Sequence, residues 1–114
     1  MEYEPWIGID LDATLAHHEP GFFRSGKIGS VIPKMKDRLL RYLGDGKNVK
    51  IFTARAAHGK KEIRKIRDWL YENGIPPLEV TNIKDPGMML LLDDKAQRVE
   101  ENTGKLIEEE MEKK

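Results

Sequence analysis

Two aspartates one residue apart, Asp10 and Asp12, close the apolar run Trp6-Ile7-Gly8-Ile9. An adjacent pair, Asp93 and Asp94, closes a second apolar run, Met88–Leu92. Carboxylates gathered in one place repel one another unless a cation, a proton or a hydrogen-bond donor separates them. Four such acids in a chain without cysteine suit Mg²⁺, a hard ion that takes oxygen ligands. With the ion bound, Asp10 can stay ionised, attack phosphorus and form an aspartyl-phosphate. A second carboxyl, at Asp12, can protonate the leaving oxygen and then activate water. Thr53, with the backbone N–H groups of its neighbours Ala54 and Arg55, is a candidate to hold the phosphoryl oxygens. Arg55 is equally suited to bind substrate phosphate or to pair with a neighbouring acid. Lys84 is the candidate cation that offsets the charge gathered around metal, nucleophile and phosphate; Lys60, Lys61 and Lys95 are its rivals.

These groups meet only if the chain brings four strand ends together. Apolar runs predict strands over 6–11, 49–52, 78–81 and 88–92. A helix is expected from Pro33 to Gly44, with Pro33 in its first turn and Ser30 as a nearby cap. Met35, Leu39, Tyr42 and Leu43 recur there at helical spacing. A second helix over 59–73 has Ile63, Ile66, Trp69 and Leu70 as its buried stripe, and Asn73-Gly74 stops it. Strands alternating with helices imply a parallel sheet with right-handed crossovers. The expected architecture is a three-layer α/β sandwich of strand order 4-1-2-3, with helices on both faces and room for a fifth edge strand at 97–101. The acids, Thr53, Arg55 and Lys84 then share the carboxyl edge, where ligands bind in open α/β sheets.

Residues 13–29 lack helical period and contain Pro20, Gly21, Gly26 and Gly29. They read as a mobile flap beside the site, with a hairpin around Phe22–Phe23 and Lys27–Ile28. Phe22 and Phe23 suit flap packing or a platform for a base or sugar, and His17 and His18 read as flap decoration. The charged segment 105–114 reads as a terminal helix over 105–112 and a tail.

Composition bounds the rest. At 114 residues the chain reads as one domain, 1–114. Its formal net charge of zero gives no global field toward nucleic acid or membrane. The basic residues Lys60, Lys61, Arg64, Lys65 and Arg67 read as a solvated helix face. Without cysteine there are no disulfides and no thiolate metal sites. No apolar stretch is long enough for a signal peptide or a membrane span, and the lack of thiols fits a cytoplasmic protein.

The order D-L-D-A-T at 10–14, Thr53, Lys84 and D-D at 93–94 resembles the four motifs of the haloacid dehalogenase-like (HAD) phosphohydrolase superfamily, over about residues 6–100. The resemblance implies a Mg²⁺-dependent phosphatase with Asp10 as nucleophile and Asp12 as general acid/base. It also implies that Thr53 binds phosphate and that Lys84 stabilises the intermediate. The metal would be held by Asp10, the backbone carbonyl of Asp12, and Asp93, with Asp94 beside them. The chain departs from the family at Ala13, where glycine is usual; a Cβ there narrows the allowed backbone, so Ala13 is expected outside the glycine-only regions. Neither 14–30 nor the stretch after Arg55 has room for a cap domain, so the chain resembles a minimal capless member. An open site of this kind admits a bulky phosphorylated partner, or gains closure from the flap or from a second subunit of a homo-oligomer.

The expected function is therefore phosphomonoester hydrolysis through an aspartyl-phosphate. The substrate would be a phosphorylated small molecule or, in a polynucleotide 3′-phosphatase, a phosphorylated nucleic-acid end. A non-catalytic HAD-like scaffold that binds a phosphorylated ligand is the alternative. A response-regulator receiver fits poorly, because its adjacent acidic pair follows the first strand and not the fourth.

Overall fold

The computed structural model describes residues 2–107. β1 (Trp6–Ile9), β2 (Val49–Phe52), β3 (Val80–Thr81) and β4 (Met88–Leu92) form one sheet in which each pairing is parallel. The order is β3-β2-β1-β4; read from the opposite edge it is 4-1-2-3, with β1 inside. A parallel strand buried on both faces is apolar throughout, and all of β1 is buried.

Two long helices, α2 (Pro33–Gly44) and α3 (Lys60–Glu72), follow β1 and β2. Pro33 opens α2 after an extended Ile32, as the residue before proline prefers. Ser30 is not its cap: no side chain caps α2, and the Ser30 carbonyl instead accepts from the His17 N–H at 2.7 Å. α3 starts after Gly59 (φ 98°) and stops at Asn73, with Gly74 (φ 77°) turning the chain.

Both helices pack on the same face of the sheet. The register aligns Ile7 with Val49, Ile9 with Ile51, and Ile51 with Val80. These residues form one core with Leu39 of α2 and Ile66 and Leu70 of α3, all three fully buried. Among the described residues the second face carries no helix, in contrast to the expected three-layer sandwich. Steps from β1 to β2 and from β2 to β3 run in one direction across the sheet, so right-handed crossovers put both helices on one side. Nor does a helix lie between β3 and β4. Instead the 82–87 link passes over the other face, where Asp85 accepts from Trp6 Nε1 at 2.8 Å and the Gly87 carbonyl accepts from the Trp6 N–H at 2.9 Å. Lys50 Nζ stands 4.5 Å from the Trp6 ring centroid and Phe52 lies 6.2 Å from it, so Trp6 is buried without a covering helix.

The flap is built differently from a hairpin tip. Its base is a short antiparallel contact: His17 N–H to the Ser30 carbonyl, and Ile32 N–H to the Leu15 carbonyl, both 2.7 Å. Its tip is a single helical turn, α1 (Phe22–Ser25), bracketed by Gly21 (φ 94°) and Gly26 (φ 79°). Left-handed glycines at both ends turn the chain in and out of that one turn at little cost. Beyond β4, Val99 and Leu106 form an antiparallel bridge around a turn with Asn102 at φ 66°. Residues 97–101 therefore add no fifth strand to the sheet. The expected helix over 105–112 lies mostly outside the described residues, and 105–107 are not helical. Among the described residues no helix is long and apolar enough to cross a membrane.

Candidate active site

The carboxyl edge holds a cleft of about 580 Å³ whose lining includes Asp10, Asp12, Ala13, Thr53, Ala54, Asp93 and Asp94. Each group arrives from a strand end: Asp10 directly after β1, Thr53 directly after β2, Asp93 directly after β4. The pairing of Ile9 with Leu92 sets Asp10 level with Asp93. One carboxylate oxygen from each of Asp10, Asp93 and Asp94 lies within 4.8 Å of the others. Burial and the neighbouring Asp93 push the Asp10 carboxyl up to about 7, against a smaller downward pull from the Leu11 N–H. Among the described residues no Lys or Arg forms an ion pair with any of the three. An oxygen-only set that is short of positive charge fits a hard divalent cation.

Asp12 is held apart from this triad. Arg55 grips it with two hydrogen bonds, Nε to Oδ2 at 2.8 Å and Nη2 to Oδ1 at 3.0 Å. The same guanidinium donates to the Gly26 and Lys27 carbonyls at 3.1 and 2.7 Å and to Glu62 at 3.0 Å. All five N–H donors of the side chain thus have acceptors, and Arg55 is 4% exposed. Burial pulls its pKa down, but the bonds to Asp12 and Glu62 outweigh that and raise it above the ordinary value. Arg55 was a candidate for substrate phosphate; it is spent on Asp12 and on the flap and does not line the acidic cleft.

Thr53 is buried and accepts from the Arg55 N–H at 3.1 Å, capping a 3₁₀ turn over Ala54–His58. Its hydroxyl proton is left to donate into the cleft. Lys84 is exposed and outside the cleft lining, whereas Lys95 is in it. The reason is the path of the 82–87 link. It leaves the carboxyl edge at once, and by Asp85 it has reached Trp6 at the start of β1. Lys95 follows the acidic pair itself, and its N–H donates to Asp93 at 2.7 Å.

Ala13 takes φ 69°, the left-handed region that glycine enters freely and other L-residues enter at about 1–2 kcal/mol. A residue with a Cβ thus takes up backbone that glycine adopts at no steric cost. Its N–H donates to the Ala16 carbonyl at 2.8 Å, closing the tight 11–16 turn. Thr14 was missed as a site residue although it ends the D-L-D-A-T string. Its hydroxyl lies 3.4 Å from Asp10 and 3.2 Å from Asp94, and it accepts from the Asp94 N–H at 3.2 Å. It ties the loop after β1 to the loop after β4. His18, expected as flap decoration, has a place in the site. It lines the cleft, and its buried Nδ1 has no hydrogen-bond partner and lies 3.8 Å from Asp12.

No protein-family model matches the chain, and no curated protein matches it. Among solved structures it is similar to a conserved protein of Bacteroides thetaiotaomicron, at 19% identity and a TM-score of 0.60, over 82% of this chain and 78% of that one. A likeness at that identity concerns the fold alone, a small α/β domain.

Proposed function

We propose that this chain is a Mg²⁺-dependent phosphomonoester hydrolase that acts through an aspartyl-phosphate on Asp10. The observation that carries the reading is the convergence of Asp10, Asp93 and Asp94 within 4.8 Å at the mouth of a parallel sheet. The resemblance of D-L-D-A-T at 10–14, Thr53 and the 93–94 pair to three of the HAD motifs supports it. Asp10, Asp93 and Asp94 would hold the Mg²⁺, with the Asp12 carbonyl as a further donor, and the ion would supply the charge that keeps Asp10 ionised.

The chain's own groups then divide the work. An Asp10 oxygen forms a bond to phosphorus as the bond to the leaving oxygen breaks. Thr53 donates its hydroxyl proton to a phosphoryl oxygen, and Lys95 replaces Lys84 as the cation within the cleft. In the second step water attacks phosphorus, the bond to Asp10 breaks, and Asp12 takes the water proton. In either role, as base here or as acid to the leaving group in the first step, Asp12 must first turn out of the clamp, because both of its carboxylate oxygens accept from Arg55.

The same clamp favours a second reading, a scaffold that binds a phosphorylated ligand and does not turn it over. Hydrolysis of p-nitrophenyl phosphate in Mg²⁺ against EDTA separates the two. Wild type should turn over only with Mg²⁺, and Asp10→Asn should be inactive. Asp12→Asn should lose about 10²–10⁴-fold on alkyl phosphates and less in the nitrophenolate-releasing step, so that its intact mass shows a phosphate adduct. Full activity in Asp10→Asn, or an adduct on another residue, sinks the mechanism. A phosphorylated oligonucleotide in the same assay tests the 3′-phosphatase variant.

A further inference from the structure

The acids account for only part of the cleft. Its volume, about 580 Å³, lies within the range of small-molecule sites, and a phosphoryl group fills little of that. Besides Thr53, Asn82 and Lys95, the rest of the lining is apolar, Phe23, Phe52 and three alanines, with the His18 ring beside them.

Phe23 stands out in that lining. It is 64% exposed, yet it is held in place. Its ring centroid lies 4.4 Å from that of His18, and the Arg55 guanidinium lies 5.6 Å from it. The helical turn that carries it is pinned at Gly26, whose carbonyl accepts from Arg55 and from Lys65. Phe22, next to it, has a different task. It packs edge-on to His18 and under Lys27 and does not line the cleft. One phenyl ring thus stands against His18 and Arg55, largely exposed, in the lining of a cleft that also contains the proposed nucleophile. An uncovered ring is a stacking surface, and a flat partner gains more from it than an alkyl chain does.

We infer that Phe23 forms a subsite for a flat aromatic ring on the alcohol side of a phosphomonoester. The preferred ligands are then aryl or heteroaryl phosphate esters over simple alkyl or polyol phosphates. The inference rests on the proposed phosphate site at Asp10, and its test keeps the two apart. Calorimetry in Mg²⁺ compares 2-phenylethylphosphonate with butylphosphonate, neither of which can be hydrolysed. The ring-bearing ligand should bind about tenfold more tightly or better. Phe23→Ala should erase that preference with little change for butylphosphonate, and Phe23→Trp should keep it. Phe23 is exposed, so its truncation leaves the core intact. Hydrolysis of 2-phenylethyl phosphate and butyl phosphate is then measured, since both release primary alkoxides and differ in the ring. Uridine 5′-monophosphate against ribose 5-phosphate tells a nucleoside ring from a simple aryl one. Ring-selective binding without turnover leaves the subsite standing and removes the catalytic reading. Equal binding of the two phosphonates, or a preference that survives Phe23→Ala, overturns the subsite even where hydrolysis is found. No binding of either overturns both.

Discussion

Asp10 has to be ionised to attack phosphorus, yet its surroundings favour the proton. Burial and Asp93 raise it to about 7, against about 3.9 in an unfolded chain. Between those values the folded protein holds a proton that the unfolded chain releases, so stability falls as pH rises. The contribution is fully present below about pH 4 and is lost as pH climbs through 7. In EDTA, the urea midpoint of wild type should drop from pH 5 to pH 8, and Asp10→Asn should show a shallower slope. Parallel slopes would mean that Asp10 titrates normally. Asp12, two residues on, is buried together with a partner. Arg55 compensates its buried charge, and such pairs are costly to break on one side only. Arg55→Ala should destabilise the fold by about 3–5 kcal/mol, measured by urea unfolding; a loss below about 1 kcal/mol would show that water reaches and solvates the pair.

At the scale of elements, the flap is a tethered piece of structure. Arg55 holds the Gly26 and Lys27 carbonyls, and Trp69 Nε1 donates to the Gly29 carbonyl at 3.0 Å. Gly29 also packs so closely that a Cβ would run into the His17 carbonyl oxygen. Gly29→Ala should therefore cost about 1–3 kcal/mol, as overpacking does, and Trp69→Phe about 1 kcal/mol for the lost hydrogen bond. Both are read from denaturant midpoints. A flap that only rests on the domain would leave both midpoints unchanged. Because α1 carries Phe23 on this tethered segment, a loosened flap should also weaken discrimination between ring-bearing and alkyl ligands.

For the whole molecule, folding creates the acidic triad. Asp10 and Asp93 follow strands distant in sequence, and they meet because β1 and β4 are neighbours. An ion that binds only the folded state stabilises it by mass action, about 2.7 kcal/mol at a hundred times its Kd. The Tm of wild type should rise with Mg²⁺, and that of Asp93→Asn should rise much less. Asp12→Asn should keep most of the response, because its side chain is turned to Arg55 and away from the triad. Equal responses in wild type and Asp93→Asn would show the ligand set to be wrong.

Much of the scaffold could be read along the chain. The bounds of β2 and β4, the span of α2 and the stop of α3 follow from apolar spacing, Pro33 and the Asn73-Gly74 pair, all of which act within a few residues. The acids at the ends of β1 and β4 were legible for the same reason. Contacts that join distant segments were not. Arg55 and Asp12 are 43 residues apart, and local pattern does not say whether a guanidinium meets an acid or a substrate. Lys84 and Lys95 look alike as cations, but only the diagonal path of the 82–87 link takes one away from the cleft and leaves the other in it. Helical period shows which stripe of α2 and α3 is buried, but the handedness of two successive crossovers puts both stripes on one face. Periodicity and turn chemistry are local properties of a chain; partner choice and layer assignment depend on how the whole chain closes on itself.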